Sequence, residues 1–183
     1  MQLWLWVLII LAAIVLFVIL LYNSLIRLKN QIENSWAQID VQLKRRNDLI
    51  PNLVNSVKGY MKHEKTVLNE VTKARTEIMK AKSPEKMAKA SNMISDALKS
   101  IFAVAENYPE LKANENFLQL QEELTGTENK IAYARQHYND MVMYFNTKIE
   151  KFPNNVFANM LNFSRKHLFE AAAEEKKNIK VEF

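Results

Sequence analysis

Cysteine is absent from the 183 residues, which excludes disulfides, thiol nucleophiles and cysteine-ligated zinc or iron–sulfur centres. Glycine occurs twice and proline four times, too rarely for an architecture of strands and tight turns. Charge is missing from the first 22 residues; all 25 Lys and Arg and all 20 Asp and Glu lie beyond them. No glycine-rich phosphate loop exists, and no base–nucleophile constellation suggests a reaction. We therefore expect no enzymatic activity and no cofactor. The net charge of +5 is interleaved with acids along helical stretches. A nucleic-acid site would need a one-sided basic face, so no nucleic-acid partner is expected.

What the chain does have begins with nineteen consecutive apolar residues, 3–21. About 20 such residues cross a hydrocarbon core about 30 Å thick. Trp4, Trp6 and Tyr22 stand near the two ends, where amphipathic rings favour the lipid–water interface. A cleaved signal would carry a basic n-region, a shorter core and a small-x-small site, none of which is present. Residues 1–22 are thus expected to be a retained single-pass anchor, with the domain at 23–183. Arg27, Lys29, Lys44, Arg45 and Arg46 follow the run and no base precedes it. The positive-inside rule then places the N-terminus outside the inner (cell) membrane and the domain in the cytoplasm; an extracytoplasmic domain is the alternative.

Next comes a heptad seam: Ile32, Trp36, Ile39, Leu43, Arg46, Ile50, Leu53, Val57, Tyr60, Glu64, Val67, Val71, Ala74 and Ile78. The alternation of four and three predicts a long helix packed on other helices, stopping around residues 81–84. Pro51 removes one backbone donor and should kink this helix; alternatively Asp48 caps a restarted helix with Pro51 in its first turn. Ser83–Pro84–Glu85 reads as the start of a second helix, whose seam runs from Met87 through Ile94 and Ile101 to Leu111, with Pro109 disturbing its last turn. Asn114 caps a third helix reaching about Glu150, with Phe117, Leu124, Ile131, Tyr138 and Phe145 on its stripe. A fourth amphipathic stretch covers about 155–177, anchored by Phe157, Leu161, Leu168 and Phe169, and the alternating tail at 179–183 is expected to be extended. The fold class is all-α: one transmembrane helix followed by an antiparallel up-and-down bundle of about four helices.

Arg46 and Glu64 are the only charged members of the first seam. A buried charge must be paired, so a register-setting contact with Glu123, Glu128 or Gln136 is expected, against a small polar ligand pocket as the alternative. Asp48, Pro51 and Asn52 form the most distinctive local feature, read either as a capped kink or as a recognition patch. His63–Glu64 resembles half of a zinc-protease helix, but Val67 occupies the second ligand's place, so no metal site is expected.

Several strings resemble the LemA family of membrane-anchored bacterial proteins: WAQIDVQLKRR at 36–46, DLIPNLV at 48–54, then KGY at 58–60 and HE at 63–64. The densest likeness is ANENFLQLQEELTGTENKIAYARQHYND at 113–140, followed by IEKFP at 149–153. The sequence departs from the family pattern at Asn47, at Leu161-Asn162-Phe163 where Phe-Gly-Phe is more usual, and in lacking a proline before its final Val181-Glu182-Phe183. The resemblance implies an anchored helical bundle without established catalysis, and a partner in the cell envelope such as a membrane protease. The expected function is a membrane-anchored scaffold or adaptor, with a sensor of a small polar ligand as the alternative. Self-association through uncovered heptad surface is also expected to be open to the chain.

Overall fold

The computed structural model describes residues 2–61 and 63–169. Among these the chain is all-helical, with no strand. The helices are α1 (Gln2–Lys58), α2 (Lys65–Lys80), α3 (Pro84–Ala105), α4 (Pro109–Lys112), α5 (Glu115–Glu150) and α6 (Asn154–Met160). Among the described residues they divide into two units, 2–37 with 137–167, and 38–136 with 168–169.

In the first unit, α1 carries one stretch long and apolar enough to cross a membrane, and none of it is buried in the protein. Burial begins where that stretch ends. Leu21, Leu25, Leu28 and Ile32 are buried at heptad spacing, together with Tyr138, Val142, Phe145 and Ile149 of α5. Trp36 packs edge-on against Tyr138 with ring centroids 5.5 Å apart. The Tyr138 hydroxyl donates to the His167 carbonyl at 3.0 Å, and burial pushes its pKa above the ordinary phenol value. Buried Asn146 acts like a strand edge for the segment after α6. Its amide donates to the Lys166 carbonyl at 2.9 Å and accepts from the Lys166 N–H at 2.8 Å. A cis peptide joins Phe152 to Pro153 just ahead of α6.

In the second unit the heptad seam is buried as patterned: Ile39, Leu43, Arg46, Ile50, Leu53 and Val57. The structure corrects the expected continuity to Ile78, because α1 ends at Lys58 and α2 begins at Lys65. The N–H groups of Tyr60 and Met61 both turn back to the Val57 carbonyl, at 3.0 and 2.9 Å. Met61 becomes fully buried while Tyr60 is exposed. Heptad spacing survives this break because the turn returns α2 to the same core, where Val71, Ala74 and Ile78 are buried. Helix α1 itself passes through Asp48 and Pro51 without a restart, so Asp48 is a mid-helix residue and not a cap.

Ser83 accepts a hydrogen bond from the Lys86 N–H at 3.4 Å, with Pro84 opening α3. Asn114 likewise accepts from the Phe117 N–H at 3.1 Å at the start of α5. Both helix starts follow the capping chemistry in the sequence. Pro109 opens the four-residue α4 instead of merely disturbing the previous helix. Phe169, fully buried, lies under the Arg135 guanidinium at 4.9 Å, and Arg135 also donates to Asn92 at 3.2 Å.

The expected fourth helix is shorter than the apolar pattern suggested: α6 has seven residues, and residues 161–169 are not helical. The reason is Asn162, which adopts φ 58°. Its N–H donates to the Asn159 carbonyl at 3.1 Å and that of Phe163 to Ala158 at 3.0 Å, a Schellman ending. Of the anchors expected beyond it, Leu168 is exposed and Phe169 is buried. The expected extended tail at 179–183 lies outside the described residues. Because an αL backbone suits Gly, tolerates Asn and strains β-branched residues, Asn162→Gly should leave stability unchanged or raise it by a few tenths of a kcal/mol. Asn162→Val should lower it by about 1–2 kcal/mol, read from urea unfolding of the detergent-solubilised chain.

Candidate functional site

The most developed polar centre lies in the second unit around Arg46. The heptad register of α1 turns this side chain inward, and it is completely buried. Its Nη1 donates to Glu128 Oε1 on α5 and, at 3.1 Å, to the Ser95 hydroxyl on α3. Its Nη2 donates to the Ser91 hydroxyl at 2.9 Å and the Ser91 carbonyl at 3.2 Å. The Ser95 hydroxyl has one proton; its shorter acceptor is Glu128 Oε2 at 2.8 Å, closing a ring of guanidinium, hydroxyl and carboxylate. Three helices of the unit are thereby pinned to one cation.

Burial pushes the Arg46 pKa down from its ordinary value, and Glu128 opposes that shift through its charge and its hydrogen bond. Arginine begins so far above neutrality that the group stays protonated. Glu128 retains 31 % side-chain exposure whereas Arg46 has none. The pair is asymmetric: one partner can regain water and the other cannot. Arg46 Nε, Gln42 Oε1 and Asn47 Oδ1 are buried side-chain atoms without a hydrogen-bond partner among the described residues.

The structure selects Glu128 from the three acceptors expected for Arg46. Glu123 instead faces Arg45 at 3.8 Å on a half-exposed surface, where such a pair contributes little. The sequence reading missed Ser91 and Ser95. Their i,i+4 spacing beside the seam residues Ala90 and Ile94 was the available signal, a pair of hydroxyls on the inward face of a helix.

Glu64 is not brought to Arg46. It stands at the N-terminus of α2 without capping it through its side chain, and its Oε1 accepts from the Tyr108 hydroxyl at 3.4 Å. The twelve residues from Arg46 to the end of α1 alone span about 18 Å. One pocket holding both charges is therefore not formed. His63 is exposed, and among the described residues no three His, Asp or Glu side chains gather as a metal site would require.

Pro51 is half-buried in mid-helix, with Asp48 and Asn52 exposed beside it. Lacking an N–H, Pro51 cannot serve the carbonyl four residues earlier, that of Asn47. Arg75 of α2 fills the gap: its Nε donates to the Asn47 carbonyl at 3.3 Å. A defect in one helix thus becomes an attachment point for the next.

Residues 35–183 match the LemA family. The chain is 29 % identical to Protein LemA of Metamycoplasma hominis over 161 residues, 86 % of this chain and 72 % of that one. It is 23 % identical to Magnetosome protein MamQ 2 of Paramagnetospirillum magneticum over 175 residues, 81 % of this chain and 64 % of the relative. Magnetosome protein MamQ of Magnetospirillum gryphiswaldense is 21 % identical over 185 residues, 87 % of this chain and 68 % of its own. The chain thus spans less than two thirds of the MamQ 2 protein.

The Arg46 centre and the Pro51 junction each lead to a testable expectation. Glu128→Ala, which strands a buried cation, should cost about 3–5 kcal/mol, whereas Arg46→Met leaves a carboxylate that can rehydrate and should cost about 1–2 kcal/mol. Chemical denaturation gives both values, and the reverse order would overturn the asymmetry. At the proline, Arg75→Ala should cost about 1 kcal/mol in the natural background. It should cost clearly less with Pro51→Ala, which restores the missing N–H; additive effects in the double-mutant cycle would deny the link. The Arg46 centre, the Pro51 junction and the caps of α3 and α5 lie within the matched 149 residues, and the match covers well over half of the sequence: this chain belongs to the LemA family.

Proposed function

We propose that this protein is a membrane-anchored, non-enzymatic helical adaptor that holds a folded surface against another protein of the cell envelope. One observation carries the reading. The side chains of residues 3–20 in α1 remain exposed or half-buried, apolar throughout, and the same helix continues into a buried heptad seam. Residues 1–22 would serve as anchor and 23–183 as an antiparallel helical bundle, with the basic residues after the span keeping that bundle in the cytoplasm.

The polar centre supports an adaptor over a sensor. Four of its hydrogen bonds from Arg46 go to the chain's own acceptors, so a small polar ligand would have to displace Glu128 or the serines. Tethering also relaxes what the partner interface must achieve. Confinement to one membrane raises effective concentration to the millimolar range for short linkers, so a weak contact suffices.

Sidedness and partner can be measured in the same cells. Lys82→Cys gives a single thiol on an exposed loop residue; Ser83 is less suitable because its hydroxyl caps α3. An impermeant maleimide should label it only after lysis. A photo-crosslinker at exposed Tyr133 or Met79 should repeatedly capture one heterologous envelope protein. Recovery of lipid and self alone would sink the adaptor reading, and labelling of intact cells would reverse the orientation.

A further inference from the structure

We infer that α6 and its flanks form a second membrane contact, an interfacial foot that lies in the bilayer surface beside the anchor. The inference rests on residues 3–21 spanning the membrane, and it concerns a segment 130 residues later in the chain. Residues 152–164 contain no charged side chain, the longest such run after the anchor in a sequence where 45 of the remaining residues are charged. Lys151 precedes this run and Arg165 and Lys166 follow it.

The contacts set its depth. Phe157 of α6 meets Phe17 of α1 edge-to-face, with centroids 5.6 Å apart. Phe17 lies four residues inside the end of the apolar run, about 6 Å along the helix. Phe163, just past α6, meets Tyr22, with centroids 6.0 Å apart, at the position where an aromatic belt is expected. A segment fixed to Phe17 and Tyr22 therefore sits at the hydrocarbon boundary whenever the anchor spans. Interfacial helices bury their apolar face about 5–10 Å into this zone.

The exposed side chains suit that place. Ala158 faces inward and is buried, while Phe152, Val156 and Met160 are 83 %, 49 % and 74 % exposed. Val156 and Met160 are one turn apart on the same face of α6. In water these three would present an unexplained apolar edge; in the acyl–headgroup region they are solvated, and the exposed Lys151 and Lys166 can reach anionic headgroups, while Arg165 pairs with Glu150 at 3.0 Å. The partner surface is thus the lipid bilayer around the chain's own anchor.

The cysteine-free sequence permits a direct test with the full chain in vesicles of three parts phosphatidylcholine to one part phosphatidylglycerol. Nitroxides are placed through Val156→Cys and Met160→Cys, with Ile10→Cys in the anchor and Tyr133→Cys on α5 as references. Collision with oxygen, which partitions into lipid, is compared with collision with a water-soluble nickel chelate. At 156 and 160 the ratio should favour oxygen roughly threefold or more over that at 133, as apolar partitioning dictates. If 156 and 160 match 133 while 10 is lipid-like, the foot is refuted and the anchor stands. If 10 is itself water-like, the anchor reading falls and takes the foot with it. Exclusion of both reagents, or spin–spin broadening between chains, would mean that protein covers this face and would overturn the lipid assignment.

Discussion

A guanidinium buried without water must keep its countercharge beside it, and the second unit is arranged around that requirement. The heptad seam of α1 alone would accept any apolar residue at position 46, with freedom to slip by a turn. Arg46 removes that freedom. Its acceptors come from Ser91 and Ser95 on α3 and Glu128 on α5, so a shift of either helix would leave a buried cation short of partners. Replacing such a centre by apolar residues can be neutral for stability, whereas removing one partner is expensive. Its role here is to fix register, which apolar surface, being non-directional, does poorly.

Arg75 and Pro51 show the same logic on the backbone. An interior proline ordinarily destabilises a helix by about 3 kcal/mol through a lost hydrogen bond and a clash with the preceding turn. The donor from α2 to the Asn47 carbonyl replaces that lost hydrogen bond. The proline thereby acquires a geometric meaning: it opens a specific carbonyl at a specific height on α1, where α2 is held by a side chain instead of by apolar contact alone.

Periodicity and capping made much of this legible in the sequence. The stripe from Ile39 to Val57, the Ser83 and Asn114 caps and the end of α5 at Glu150 follow from local chemistry, and local chemistry decided them. What was not legible depended on geometry between elements. The seam through Tyr60 and Glu64 kept its spacing although the helix had ended at Lys58, because spacing reports which face is buried and not whether the backbone is continuous. The apolar anchors after Leu161 suggested more helix, yet one αL residue, Asn162, ended it. The charge of Arg46 announced a partner, and Glu128 was among those expected; Ser91 and Ser95 escaped because serines near a seam are usually unremarkable. Glu64 looked equivalent to Arg46 by position but ended at a helix start, paired with Tyr108.

Exposed apolar side chains are distributed differently in the two units. In the second unit they are dispersed along different helices, such as Val41, Met79, Leu118 and Tyr133. Isolated exposures of that kind are normal for a water-facing domain. In the first unit, besides Tyr22, Met143 and Tyr144, they accumulate along residues 3–20 and again at Phe152, Val156 and Met160. Water would penalise so much concentrated apolar surface, whereas a bilayer would stabilise it. The charged residues are arranged to match, absent from both stretches and abundant beyond them. A partner protein that binds the second unit would then find a mainly polar surface, recognised through charge and hydrogen bonding. Charge complementarity of that kind sets specificity and on-rate more than raw affinity, and a membrane shared with the partner would add effective concentration.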